Sequence, residues 1–320
     1  MKAIRVKKFG GPEVLGLEEV PVPEPAAGQV LVRVRAAGVN PYETYIRAGT
    51  YASLPELPYT PGSDGAGTVE AAGPGVTSVR PGDRVYVTKN LSGTYAEYAL
   101  ALEGQVHPLP KDLSFAQGAG VWVPYGAAFH ALVHQAVARP GETVLVHGAS
   151  GGVGVAAVQL AAALGLSVLG TAGTPEGRAL VLRQGAKAAF DHSSPGHAAE
   201  VLAATSGRGA DIVLEMLANV NLASDLKILA MDGRVVVIGS RGEVTIEPRD
   251  LMARRGSIRA FTLWAITPQE EKEIHAAVGA GLALGTLKPQ VGREFPLAEA
   301  AAAHKAVMRG GAAGKIVLVC

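Results

Sequence analysis

The pattern in this chain with the clearest chemical meaning is a glycine-rich turn between two apolar runs. It has the form Ala149-x-Gly151-x-x-Gly154, after the apolar segment 143–146 and before the apolar segment 155–166. A strand, a turn and a helix in this order place backbone N–H groups and a positive helix end where a pyrophosphate binds. Alanine stands where the first glycine of the usual fingerprint belongs, although Gly148 comes just before it. The turn predicts a dinucleotide site, with a bare structural turn as the alternative.

The segments that follow the turn strengthen this prediction, because short β-rich runs alternate with helical stretches. Such alternation is typical of an α/β fold whose doubly wound parallel sheet is covered by helices on both faces. The predicted strands are 167–171, 188–190, 211–215, 234–238 and 257–262, and the predicted helices are 177–184, 197–204, 222–231 and 248–255.

The end of the second predicted strand indicates which dinucleotide is bound. An NAD site usually has a carboxylate there to bind the ribose 2′-hydroxyl group, but residues 170–175 are neutral. Glu176 comes slightly late, at a predicted helix start where an acid is favoured anyway. Arg178 is near enough to contact a phosphate, or it is an ordinary solvated helix residue. The sequence therefore favours NADPH over NADH.

The chain is predicted to form two domains. Before residue 123, short alternating runs separated by Gly and Pro, such as 29–36 and 83–88, indicate a mostly antiparallel β-domain. After residue 262, two helices and a closing strand at 315–319 return to complete it. We predict a catalytic domain of residues 1–122 and 264–320 and a dinucleotide domain of residues 123–263.

Composition excludes several classes of protein. The 320 residues are 48% hydrophobic with a net charge of +1, which argues against disorder and against a polyanionic partner. No apolar run reaches the length of a membrane span, and residues 1–9 alternate like a strand, so we expect a cytoplasmic protein with no membrane partner. The single cysteine, Cys320, excludes an internal disulfide and a cysteine-cluster zinc site.

Six motifs, among them the glycine-rich turn, give the chain a resemblance to a known family. It resembles the zeta-crystallin-like quinone oxidoreductases of the medium-chain dehydrogenase/reductase superfamily over essentially its whole length. This resemblance implies a GroES-like β-domain plus a Rossmann domain, with the active site in the cleft between them. The motifs that carry it lie at 9–15, 38–46, 57–64, 146–154, 215–222 and 239–242.

The zinc ligands of related alcohol dehydrogenases are missing here. Those enzymes resemble this chain but have cysteine at the position of Asn40 and a Gly-His-Glu segment at 62–64, where this chain has Gly-Ser-Asp. The eight histidines are scattered without zinc-ligand spacing and are predicted to be surface or packing residues. The resemblance implies a metal-free reductase. Quinones and conjugated carbonyl compounds are electrophilic and accept hydride with less help than other acceptors.

The resemblance also implies a set of NADPH contacts. Gly173 and His192 would lie near the adenosine ribose and its phosphate, and Asn221 would cap a helix beginning at Leu222 as well as contact the cofactor. The implied cofactor-binding residues are Tyr45, Ser150, Gly151, Gly152, Val153, Gly173, His192, Asn221, Val237, Ile238, Gly239, Ser240, Phe261, Thr262 and Leu263.

Two polar residues are the candidates for the acceptor side of the reaction. Asn40 and Tyr45 are predicted to orient or hydrogen-bond a quinone oxygen, and the proton comes either from Tyr45 or from solvent. Tyr42, Tyr45, Tyr51 and Tyr59 offer flat walls for an aromatic acceptor, or they are ordinary packing residues. Relatives usually have a smaller aliphatic residue at position 42, which leaves the preferred quinone open.

Three functions remain at this point. The first is an NADPH-dependent quinone reductase, and the second is a reductase of the C=C bond of enals or enones. The third is RNA binding, which the resemblance implies but the near-neutral charge makes unlikely. Family members are homodimers or homotetramers, and the apolar run 260–266 is a candidate edge strand for a two-fold interface.

Overall fold

A computed structural model describes residues 1–320 of the chain. Its strands are, from β1 to β15, Lys2–Arg5, Gly16–Glu19, Gln29–Val39, Asp64–Ala72, Arg84–Val87, Tyr98–Leu102, Val106–Pro108, Thr143–Val146, Ser167–Thr171, Ala188–Phe190, Ala210–Glu215, Leu229–Val237, Ser257–Ala260, Val291–Pro296 and Lys315–Val319. Its α-helices are, from α1 to α10, Pro41–Ala48, Phe115–Gly118, Trp122–Phe129, Gly152–Ala163, Pro175–Arg183, His197–Ala204, Ala218–Ile228, Pro248–Ala253, Pro268–Ala283 and Ala300–Arg309.

The chain divides into two compact units. The first comprises residues 1–123 and 288–320, and the second comprises residues 124–287. Residues 264–287 thus lie in the second unit, whereas the sequence analysis assigned them to the first domain. The reason is that α9 packs on the π-helical stretch His130–Gln135, where His130 Nδ1 lies 3.9 Å from Glu270 Oε1. The sequence pattern marks a helix there but not its packing partner.

The second unit contains the predicted parallel sheet. Its six strands have the order β10-β9-β8-β11-β12-β13, and every neighbouring pair is parallel. Strands β9 and β10 lie outward on one side of β8, and β11, β12 and β13 lie outward on the other side, which is the order of a dinucleotide-binding fold. Ligands bind in such sheets where the order reverses, so the carboxyl ends of β8 and β11 mark the expected site.

The strands at the centre of this sheet are buried on both faces. All four residues of β8 are buried, and Ile212, Val213 and Leu214 of β11 are wholly inaccessible to solvent. Continuous apolar strands of this kind form when helices cover both faces of a sheet. Helix α4 is also buried along most of its length, since every residue from Val155 to Ala161 is buried.

The first unit is built on a mixed sheet of seven strands. Six follow the order β14-β15-β3-β4-β5-β7, with β6 also paired to β3, and β1 and β2 form a separate antiparallel pair. Strand β15 pairs antiparallel with β3, placing Ile316 opposite Val39. The closing strand therefore returns to the first unit, as the sequence predicts, and brings Lys315 beside the end of β3.

Two predicted elements near the candidate site have different bounds in the structure. Helix α7 begins at Ala218, with Leu217 as its N-cap, so Asn221 lies inside the helix and the prediction that it caps the helix is wrong. Strand β13 ends at Ala260, and a 3-10 turn at Leu263–Ala265 replaces the predicted strand end. None of the helices is both long and apolar enough to cross a bilayer.

Candidate active site

The glycine-rich turn joins β8 to α4 and leaves the helix N-terminus open. Gly151 is the N-cap residue of α4, and no side chain caps the helix there. Gly148 has φ +56°, and a Cβ atom on Gly154 would lie 2.3 Å from the Gly148 carbonyl oxygen. The left-handed residue is thus Gly148, one position before the expected first glycine, which explains why Ala149 is tolerated. The uncapped N–H groups at 152–154 fit a pyrophosphate.

The predicted adenosine contacts lie together at the ends of β9 and β10. A Cβ atom on Gly173 would lie 2.8 Å from His192 Nε2, so the imidazole lies close to the backbone of Gly173. Arg178 donates to Asp191 Oδ2 at 2.8 Å, and both side chains are partly exposed. Asp191 was not predicted to belong here. Its carboxylate holds the guanidinium group of Arg178, the residue that the sequence analysis places near a cofactor phosphate.

The structure also brings together the predicted contacts after β11 and β12. The backbone N–H groups of Ile238 and Gly239 both donate to the Glu215 carbonyl oxygen, at 2.8 and 3.2 Å, and the Ala218 N–H donates to the Gly239 carbonyl oxygen at 3.0 Å. A Cβ atom on Gly239 would lie 2.6 Å from the Met216 carbonyl oxygen, which explains why this position has no side chain. Residues 237–240 therefore lie against the start of α7, at the carboxyl edge of the sheet.

The third predicted group, residues 261–263, follows the edge strand β13. The Phe261 ring packs on the His130 ring with their centroids 4.5 Å apart, and Leu263 is buried while Thr262 is exposed. Because β13 is parallel to β12, this group leaves the sheet at the same edge as residues 237–240.

A buried polar cluster at this edge was missed by the sequence analysis. His147 follows β8, Glu215 ends β11, and Asp225 lies on α7. His147 Nε2 lies 2.8 Å from Asp225 Oδ1 and 3.7 Å from Glu215 Oε2. The three side chains offer ligand atoms within 4.8 Å of one another, although the shorter separation is that of a hydrogen bond. Sequence spacing gave no signal, because 78 positions separate His147 from Asp225.

Burial sets the protonation of this cluster. Removal from water raises the pKa of Glu215 and that of Asp225 each to about 7, and it lowers the pKa of His147 below its usual value. Glu215 Oε2 and Asp225 Oδ2 are buried without a donor. Burial therefore favours the neutral imidazole and the protonated form of the carboxyl groups.

In the first unit, helix α1 presents Asn40, the first of the two predicted catalytic residues. Asn40 is its N-cap residue, and the Asn40 backbone N–H donates to Glu43 Oε2 at 2.9 Å. Glu43 Oε2 also accepts from the Tyr95 hydroxyl at 2.8 Å, and the Tyr95 oxygen lies 3.1 Å from His304 Nε2. Burial raises the pKa of Glu43, opposed by the nearby ammonium group of Lys315. The start of α1 is thus fixed by buried polar contacts.

The Asn40 side chain is engaged within the protein and is 2% exposed. Its Nδ2 atom lies 3.0 Å from Asp64 Oδ2 and 3.4 Å from Glu43 Oε1, while its Oδ1 atom accepts from Lys315 Nζ. Lys315 Nζ also donates to Asp64 Oδ2 at 2.9 Å, and Asp64 Oδ1 accepts from the Val123 N–H at the same distance. Both amide hydrogens of Asn40 therefore have carboxylate partners, and neither is left for a quinone oxygen.

Tyr45 differs from Asn40 because its hydroxyl group is bound to no other residue. It lies on α1, and its side chain is half-buried. Of the neighbouring tyrosines, Tyr42 hydrogen-bonds Ser63 and packs on Tyr51 with the ring centroids 5.9 Å apart. Tyr59 pairs with Val6 and packs on the hydrophobic core of the unit, and burial raises its pKa to about 12. Tyr42 and Tyr51 thus form one aromatic surface, and Tyr59 is a packing residue.

Both units match known protein families. Residues 26–111 match the alcohol dehydrogenase GroES-like domain, and residues 152–278 match the zinc-binding dehydrogenase family. The expected combination of a GroES-like domain and a Rossmann-type sheet is confirmed.

The chain is also similar over its full length to individual oxidoreductases. The quinone oxidoreductase of Homo sapiens is 50% identical to this chain, over 100% of this chain and 98% of the human protein. The quinone oxidoreductase of Thermus thermophilus, solved alone and with NADPH, is 35% identical with a TM-score of 0.87 and full coverage of both chains. A structure of an NAD-dependent alcohol dehydrogenase is 31% identical with a TM-score of 0.93, again with full coverage.

Proposed function

We propose the activity of this chain from one premise: the chain belongs to the zeta-crystallin-like quinone oxidoreductases of the medium-chain dehydrogenase/reductase superfamily. It is an NADPH-dependent oxidoreductase that passes reducing equivalents to a quinone. The observation that carries this conclusion is the 50% identity with a human quinone oxidoreductase over the whole chain. The parallel sheet with its uncapped Gly151 turn supplies the dinucleotide site that the reaction requires.

The residues of the second unit would hold NADPH along the carboxyl edge of the sheet. The N–H groups at 152–154 would bind the pyrophosphate, and Gly173 with His192 would lie against the adenosine ribose. Asn221 and residues 237–240 would hold the nicotinamide half. When bound, NADPH supplies the hydride.

Tyr45 is our candidate for proton donation to the reduced quinone. Its hydroxyl group has no partner in the chain, and it lies one helical turn from Tyr42, whose ring contacts Tyr51. Asn40 takes a different role from the one predicted from the sequence. Since both amide hydrogens are used by carboxylates, Asn40 positions the start of α1 and does not touch the acceptor.

The preference for NADPH rests on the absence of a carboxylate at the end of β9 and on Arg178. The NADPH complex of the Thermus thermophilus relative supports the same choice. The NAD-dependent alcohol dehydrogenase of similar fold is less similar in sequence than the human quinone oxidoreductase. Both nicotinamide cofactors therefore belong in the first experiment.

That experiment follows cofactor oxidation by the purified full chain after chelator treatment. NADPH and NADH are each offered with an aromatic ortho-quinone and with a simple enal. We expect NADPH-selective quinone turnover that survives chelation. Turnover of the enal alone would move the assignment to C=C reduction, and loss of activity on chelation would overturn the metal-free assignment.

Other properties stay predictions. A homodimer or homotetramer is proposed from the family, with β13 as the exposed edge of the sheet. A cytoplasmic location and the absence of a main nucleic-acid partner are proposed from composition alone. Gel filtration with light scattering tests the first, and salt-dependent RNA retention with and without NADPH tests the last.

A further inference from the structure

A chain of buried hydrogen bonds begins at the glycine-rich turn. The Gly148 N–H donates to Thr171 Oγ1 at 3.2 Å, and Thr171 Oγ1 lies 3.3 Å from His147 Nδ1. Because the hydroxyl group accepts from Gly148, its own hydrogen is free to point at Nδ1. The imidazole proton is then on Nε2 and is donated to Asp225 Oδ1 at 2.8 Å. Thr171, His147 and Asp225 are all at most 2% exposed.

The buried cluster continues to the segment after β11. Glu215 Oε2 lies 3.7 Å from His147 Nε2, and the ligand atoms of His147, Glu215 and Asp225 lie within 4.8 Å of one another. On its other side, Glu215 Oε1 accepts from the Leu217 N–H and from Asn221 Nδ2, the latter at 3.2 Å. Glu215 is wholly buried. One end of the chain thus fixes Gly148, and the other fixes the first turn of α7.

Both ends belong to segments assigned to the cofactor under the proposed function. The chain crosses between β8 and β11, the neighbouring strands where the sheet order reverses. A buried polar network that is fully satisfied rigidifies the groups it joins, and one that is partly satisfied costs stability. Rigid groups bind a ligand with less loss of entropy.

We infer that His147, Asp225 and Glu215 are positioning residues for the dinucleotide, joining the pyrophosphate-binding turn to Asn221 through a buried relay. This inference rests on the proposed function, because it requires NADPH to bind at this edge. The three residues do not touch the cofactor. They act through Gly148, Leu217 and Asn221.

The relay works with one proton between the two carboxyl groups. With that proton present, the pair of carboxyl groups carries one negative charge, and Glu215 Oε1 accepts from Leu217 and Asn221. Loss of the proton above about pH 7 leaves two buried like charges within 4.8 Å of each other. The other titratable groups facing His147 are His192 and His197, the latter on α6 with its ring centroid 6.4 Å away. Burial lowers the pKa of His192 below its usual value.

Two kinds of substitution separate positioning from mere packing. Asp225→Asn keeps an oxygen for His147 and gives an amide donor to Glu215, so it reproduces the protonated pair without a titrating proton. Asp225→Ala removes the connection. Glu142→Gln is the matched control, because Glu142 precedes β8 at the end opposite His147 and is paired with Arg234 at 2.6 Å.

The experiment measures NADPH and NADH dissociation constants for the full chain by fluorescence titration between pH 6 and 8.5. NADH corrects for the 2′-phosphate, which titrates near pH 6. For wild type we expect the constants for both cofactors to rise about threefold or more between pH 7 and 8.5. We expect Asp225→Asn to bind within threefold of wild type without that pH dependence. Asp225→Ala should bind at least tenfold more weakly, and Glu142→Gln should follow wild type.

The outcomes are distinct. Wild type that binds neither cofactor overturns the proposed function and the relay with it. Wild type that binds NADPH, together with Asp225→Ala of equal affinity, overturns the relay alone. If Asp225→Ala does not fold, an unchanged pH profile in Asp225→Asn refutes the relay. A stoichiometric divalent metal found by mass spectrometry in dialysed wild type and lost in Asp225→Asn would also refute it, since the cluster would then be a metal site.

Discussion

Lys315 Nζ lies 2.9 Å from Asp64 Oδ2, and this ion pair joins the last strand of the chain to β4 with both side chains buried. The same ammonium group is hydrogen-bonded to Asn40. A buried pair of this kind adds little net stability over apolar residues, but removal of one partner leaves an uncompensated charge. The contact therefore fixes where α1 begins.

Lys315→Met should destabilise the protein by about 3 kcal/mol, because Asp64 would be left buried without its cation. Chemical denaturation monitored by circular dichroism measures the change. Lys305→Met, at an exposed position on α10, is the control and should change stability by less than about 0.5 kcal/mol. Equal stability of the two variants would contradict our account of the ion pair.

Tyr45→Phe should lower quinone turnover by about 100-fold if the phenol supplies the proton. Steady-state kinetics with saturating NADPH measure kcat and KM separately. Tyr98→Phe, on β6 in the same unit, is the matched loss of a hydroxyl group and should behave as wild type. Unchanged kcat in Tyr45→Phe would mean that solvent supplies the proton.

Arg178→Ala should weaken NADPH binding about tenfold and leave NADH binding unchanged, because a charge-assisted hydrogen bond to the 2′-phosphate contributes about 1.5 kcal/mol. Competition titrations with the two cofactors give the ratio. Arg183→Ala, at the exposed end of the same helix, controls for the loss of one positive charge. Equal weakening for both cofactors would show that Arg178 does not read the 2′-phosphate.

Gly154→Ala should disrupt the glycine-rich turn, because the added Cβ atom would lie 2.3 Å from the Gly148 carbonyl oxygen. We expect loss of NADPH binding at concentrations that saturate wild type. The control is Gly279→Ala in α9, where the new Cβ atom would meet no other part of the chain outside the backbone of its own helix within 4 Å. That variant should be as stable as wild type or up to about 1 kcal/mol more stable.

His304 should make the protein sensitive to acid. Burial lowers the pKa of His304 to about 3, below its unfolded value near 6.5, so the unfolded chain binds the proton first. The stabilisation is complete above pH 6.5 and is lost as the pH falls toward 3, by about 2 kcal/mol between pH 6.5 and 5. Unfolding titrations across this range should show a smaller loss for His304→Gln. The same slope in both proteins would assign the acid sensitivity to other groups.

The sequence by itself determined the architecture of the second unit and predicted where in it a dinucleotide binds. The bounds of β9, β10 and α6 agree with the predictions, because each forms one short apolar or periodic segment between clear breakers. The geometry of the glycine-rich turn is set by consecutive residues, so the turn can be predicted from the sequence alone. The closing strand β15 was recognisable for the same reason.

The tertiary structure decided what the polar side chains do. The sequence predicts that Asn40 contacts the acceptor. In the structure, the side-chain oxygen of Asn40 accepts a hydrogen bond from Lys315, 275 positions away. His147, Glu215 and Asp225 carry no common spacing, since strand order and helix packing bring them together. Hydrophobic periodicity records which face of an element is buried, but it does not record which polar groups meet there. Those pairings are set by contacts between distant segments, and a buried donor or acceptor is stable only where the fold supplies its partner.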